Sequence, residues 1–108
     1  MTAPPPVHPS YSPLFTYGQI VATPAAVALL QDTGADLESL LLRHITGDWG
    51  NVPLEDALTN NKAVDDENMM ILSSYPVGGD LRGRGQEDIW IITDAYRATT
   101  TILTPEDY

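Results

Sequence analysis

Apolar residues recur along this chain with two distinct spacings, and its proline-rich start follows neither. Leu37, Leu40, Leu41 and His44 fall at i, i+3, i+4 and i+7, which is one face of a helix. Asp36 stands where an N-cap is needed, so a helix is predicted from there to about Ile45, with Gly47 as its natural stop. Upstream, Thr23-Pro24 reads as N-cap and first helical position, Ala25 to Gln31 as a short helix, and Gly34 as its end. A weaker stripe of Leu54, Ala57, Leu58 and Val64 predicts one or two short helices over 54–67, with Asn60-Asn61 as a break. Strands are predicted at Gly18–Ala22, Asn68–Tyr75, Asp88–Thr93 and Thr99–Leu103, where β-branched and apolar residues concentrate. Pro76 to Gln86 holds four glycines and reads as a long hairpin loop.

Short connections among the last three strands favour an antiparallel meander. So small a sheet needs a second layer, and the helices must supply it. The expected class is therefore α+β: a small antiparallel β-meander of about three to four strands, covered by two or three short helices. The aliphatic residues Leu29, Leu30, Leu40, Leu41, Ile71, Leu72, Ile89, Ile91 and Ile102 are the expected core. A length of 108 residues suits one domain. Residues 1–16 read as a Pro-rich disordered arm and 17–108 as the single domain, because a Pro-Pro-Pro run supports neither helix nor ladder.

Composition narrows the chemistry. Cysteine is absent, which excludes disulfides, thiol nucleophiles and thiolate metal sites. The two histidines are far apart and no carboxylate spacing matches a calcium loop, so no metal and no cofactor are expected. Neither a signal peptide nor a membrane-spanning run is evident, and a cytoplasmic setting is expected. Fifteen acidic against five basic side chains give a net charge of −10. Such a surface repels phosphate backbones and anionic lipid, so neither direct duplex DNA binding nor membrane binding is expected. It attracts basic partners, and it also keeps a small protein soluble.

Two clusters concentrate candidate chemistry. The first is Arg43-His44-Ile45-Thr46-Gly47-Asp48-Trp49-Gly50. Asp48 can turn back to orient His44 as a general acid or base; alternatively, His44 bonds a free carbonyl at the helix end. Trp49 either stacks on a base or partner surface, or plugs the core. The second cluster is Thr93 to Thr101, where Arg97 can clamp an anion beside the hydroxyls of Thr93, Thr99 and Thr101. The plainer alternative pairs Arg97 with Asp94 or Asp48. Histidine, arginine and hydroxyls together suffice for metal-free RNA cleavage, with His44 as base, Asp48 as its orienter and Arg97 on phosphate. Paired acids offer a different surface: Asp65, Asp66, Glu67, Glu87 and Asp88, with Trp49 and Arg97, are the candidate binding residues for a basic cleft.

From Gly18 onward the chain resembles a family of small bacterial proteins carried on plasmids and integrative elements. The likeness rests on Gly18-Gln19-Ile20-Val21-Ala22-Thr23-Pro24, on Arg43-His44 with Gly47-Asp48-Trp49-Gly50, on Ile71-Leu72-Ser73 with Tyr75, and on Ile89-Trp90-Ile91-Ile92-Thr93. It closes with Arg97, Thr101-Ile102-Leu103, Pro105 and Tyr108. Members are often labelled plasmid-related protein or type I restriction endonuclease subunit M; the second label does not suit so short a chain. Tyr96 stands where the family usually has an acidic residue, and the 76–87 loop is longer than usual. The resemblance implies a mobile-element setting and no particular activity. The expected function is thus an acidic, non-enzymatic interaction protein that inhibits a basic, nucleic-acid-binding host defence protein. A small ribonuclease using His44, Asp48 and Arg97 is the alternative.

Overall fold

The structure, a computed structural model, describes residues 12–108. The proline run and His8 lie outside the described residues. Four strands and three helices follow in the order β1 (Gln19–Ala22), α1 (Pro24–Thr33), α2 (Leu37–Ile45), α3 (Leu54–Ala63), β2 (Ile71–Val77), β3 (Glu87–Thr93) and β4 (Thr99–Leu103). The class is α+β.

The helix ends follow the local chemistry. Thr23 accepts the Ala26 amide through its side chain, Pro24 occupies the first turn, and Gly34 closes α1 in the left-handed region at φ 70°. Asp36 caps α2 by accepting the Glu38 amide at 3.1 Å. The segment after Pro53 forms one helix, and the expected break at Asn60-Asn61 does not occur. Asn60 is buried, and tertiary bonds to its amide outweigh its weak helix propensity.

The sheet order is β1-β4-β3-β2. β2, β3 and β4 form the expected antiparallel meander, with Ile71 opposite Thr93 and Ile91 opposite Ile102. β1 joins β4 in parallel, Gln19 beside Thr99, so the sheet is mixed. Strand alternation sends Tyr75, Val77, Ile89, Ile91 and Ile102 to one face, where Ala26 of α1 and Leu40 of α2 complete a core. A second cluster joins Trp49, Ala63 and Ile71, with Phe15, Val52 and Met69 packed against it. Leu72, expected in the core, lies half-buried with its outward neighbour Ile92, because alternation puts it on the opposite face from Ile71.

Leu14 and Phe15 belong to the fold, although the sequence assigned them to the arm. The Leu14 amide donates to the Ile45 carbonyl at 2.7 Å, and Phe15 packs on the second cluster.

The two edges of the sheet are treated differently. On β2 the Asn60 amide donates to the Leu72 carbonyl (2.7 Å) and accepts its N–H (3.1 Å). The Ser74 amide donates to Trp49 O and Ser74 O accepts from the Asn51 amide. Gly50 makes this approach possible, since a Cβ there would lie 1.9 Å from Ser74 O. Pro76 takes the next outward-facing position, where its missing N–H costs no bond to β3. β1 has no such cover among the described residues, and all four of its residues are exposed.

Candidate functional site

The apolar face of α2 carries His44 into the protein, under the sheet. The ring is fully buried. Its Nδ1 lies 2.6 Å from Ser73 Oγ and its Nε2 lies 2.9 Å from Thr93 Oγ1. Thr93 in turn bonds Thr100, its cross-strand partner, at 2.6 Å. Ser73, Thr93 and Thr100 are equally buried, so a polar chain crosses β2, β3 and β4 beneath α2. Burial, and then the positive charge of Arg97, push His44 down from 6.5 to about 3. The ring is therefore neutral at physiological pH, donating from one nitrogen and accepting at the other.

Asp48 does not orient His44. Its carboxylate takes Arg43 Nε at 2.7 Å and the Gly50 amide at 3.2 Å, and the arginine holds it below the usual carboxylate range. Arg43 also lies over the Tyr75 ring, 4.5 Å from its centroid, while the Tyr75 hydroxyl donates to Asp48 O at 2.7 Å. Nor does His44 bond a helix-end carbonyl, because both ring nitrogens are already engaged with hydroxyls across the sheet.

Arg97 is buried as well. Its guanidinium donates to Met69 O (2.6 Å), Asp94 O (3.2 Å), Asp66 O (3.3 Å) and Ala63 O. It thus caps the C-terminal end of α3, where carbonyls lack helical partners and the dipole favours a cation. It pairs with neither expected carboxylate: Asp94 instead accepts the Ala98 and Thr99 amides, and Asp48 belongs to Arg43. Placing this side chain requires left-handed backbone at two non-glycine residues, Tyr96 (φ 69°) and Arg97 (φ 61°). The Tyr96 amide is held by Glu67 O at 2.6 Å.

Trp49 is a core residue. Its indole is 6% exposed, donates to Asn61 Oδ1 at 3.0 Å and stacks on Phe15. Phe15 meets His44 edge-on and lies 5.7 Å from the Arg97 guanidinium carbon. The sequence-predicted residues His44, Trp49 and Arg97 therefore share one neighbourhood, joined by Phe15, but all three are enclosed. The threonines also divide. Thr93 faces the buried side with Thr100, whereas Thr99 and Thr101 occupy the alternate, half-buried positions of β4.

The acids remain outside. Of the fifteen carboxylates, only Asp48 and Asp80 form ion pairs with cationic side chains among the described residues. Asp65, Asp66 and Glu67 are exposed beyond the end of α3, while Glu87 and Asp88 open β3 at its far end, so the two groups do not form one row. Asp88 instead joins Asp56, from the first turn of α3, around a groove of about 270 Å³ on the outward sheet face. Leu72, Ser74, Trp90 and residues 51–53 form its other walls. Trp90 is half-buried there, with Tyr108 edge-on at 5.5 Å. The sequence reading overlooked this groove. An indole on the outward phase of a strand otherwise pointing Ile89, Ile91 and Thr93 inward was its one local sign.

Among the described residues no group of three or more His, Cys, Asp or Glu side chains could hold a metal ion, and no helix is long and apolar enough to cross a membrane. Comparison with known protein families, curated proteins and solved structures finds no match to this chain.

Proposed function

We propose that this protein is a non-enzymatic interaction protein of a bacterial mobile element, acting in the cytoplasm by occupying the cleft of a basic, nucleic-acid-binding host defence protein. The observation that carries this reading is the division of polar residues. Those able to do acid–base or anion chemistry, His44 and Arg97, are buried and bonded within the fold, while most carboxylates face outward without a cation. Exposed, uncompensated acids attract a positive surface and speed its encounter. The sequence resemblance supports the mobile-element setting.

The groove between Asp56 and Asp88 is the preferred contact. Its carboxylates suit an arginine or lysine, and Trp90 and Leu72 offer apolar surface to the side-chain stem. The test is titration of a purified partner with wild type, Asp56→Lys with Asp88→Lys, and Asp65→Lys with Asp66→Lys. The groove pair is expected to weaken binding by at least about tenfold and the 65–66 pair by less. Unchanged affinity in both double variants would remove the electrostatic reading.

A further inference from the structure

The geometry points to self-association of this chain through the outer edge of β1, with a second copy as the occupant. β1 bonds β4 through its alternate residues: the Gln19 amide donates to Ala98 O and the Thr23 amide to Ile102 O. In a parallel ladder this turns the N–H and C=O of Ile20 and Ala22 away from β4. Among the described residues nothing bonds to them. Edge strands are normally protected by charge, proline, a bulge or a covering segment. β2 is closed by Asn60, by the Trp49–Asn51 main chain and by Pro76. Among the described residues β1, Gln-Ile-Val-Ala, has no charge, proline, bulge or cover, and only its four-residue length limits pairing.

Three features select another copy rather than a basic partner. First, residues 17–24 contain no charged side chain in a chain carrying −10, so the strand itself sets no like charges together; the carboxylates flanking it are Asp107, held by the Thr23 hydroxyl, and Glu38 in the adjoining groove. Second, the edge is self-complementary. Antiparallel pairing about an axis through Val21 sets Ile20 opposite the copy's Ala22 and forms about four main-chain hydrogen bonds. The two Val21 side chains then meet as a close β-branched pair. Third, apolar surface adjoins the strand. Ile20 and Val21 are each 38% exposed, and Ile20 lines a groove of about 530 Å³ with Tyr17, Leu37, Leu41, Leu42, Ile45 and Glu38.

The inference is independent of the proposed partner, and salt separates the two. Raising salt screens the repulsion between acidic copies and strengthens self-association, whereas it weakens attachment to a basic protein. The test is sedimentation equilibrium of the full chain over a range of concentration and salt, with Val21→Lys and Ala22→Pro as variants. Val21→Lys places charges together at the axis. Ala22→Pro removes an N–H that β4 does not use. Circular dichroism identifies which variants fold, and either folded variant is sufficient. The expected result is a concentration-dependent dimer, tightened by salt and weakened at least about tenfold by each folded variant. A wild type that stays monomeric, or a dimer indifferent to the folded variants, would overturn the inference. Dimerisation that appears only after removal of residues 1–11 would assign the edge to that segment and overturn it too.

Discussion

Protonating His44 places a charge inside the sheet–helix interface, where Arg97 already supplies one. Its folded value of about 3 lies below the ordinary 6.5, so the unfolded chain binds the proton more tightly. Stability from the neutral ring is fully present above pH 6.5 and declines as pH falls from there towards 3. A slope approaching 1.4 kcal/mol per pH unit, about one proton's worth, is expected in denaturant titrations between these limits. It should largely vanish in His44→Gln. A slope unchanged by that substitution would locate the proton elsewhere. Asp48, Asp80 and Asp107 are held below the ordinary 3.8, so their contributions are lost at lower pH, as pH falls through their folded values. Tyr96 presents the opposite case, an exposed ring on left-handed backbone. Relief of roughly 1–2 kcal/mol of strain exceeds the entropy cost of glycine, so Tyr96→Gly is expected to stabilise by about 0.5–1 kcal/mol in equilibrium unfolding. The sequence singled out His44, Trp49 and Arg97, and the core alternative for Trp49 holds, but the bonding of the three was not legible. His44 reaches Ser73 and Thr93 across long sequence separations, and Arg97 reaches back to Ala63. Spacing within a segment cannot report such contacts.

Elements were more legible than contacts, because caps and alternation act locally. Thr23, Asp36 and Gly34 ended their helices as their chemistry requires, and β4 spans the expected residues. Two features depended on tertiary partners. β1 pairs in parallel with the last strand, a register with no local signal. Asn60 stays within α3 because its amide closes the β2 edge. Asn60→Ala would leave the Leu72 N–H and C=O without that partner, and a loss of about 1–3 kcal/mol is expected. Asn61→Ala, which removes only the acceptor of the Trp49 indole, should cost less. Thermal and denaturant unfolding of both variants checks the order, and equal effects would contradict the clamp.

At the scale of the molecule, polar groups divide between a sealed interior and an acidic exterior. The interior makes an RNA-cleaving site at His44 hard to reach, and His44→Ala is expected to lower stability by a few kcal/mol rather than to abolish a cleavage activity. Under the proposed function, the exterior is the surface that meets the partner. Net charge was visible in composition; which acids share a groove depended on how α3 lies beside β2. The most direct measurement is capture of partners from a bacterial host lysate on the tagged protein, at low and high salt, with and without competing DNA. The expected result is a basic nucleic-acid-binding protein, retained at low salt, released by salt and by DNA, and lost with Asp56→Lys and Asp88→Lys. Partners that ignore salt and DNA, or that bind the charge-reversed protein equally well, would contradict it.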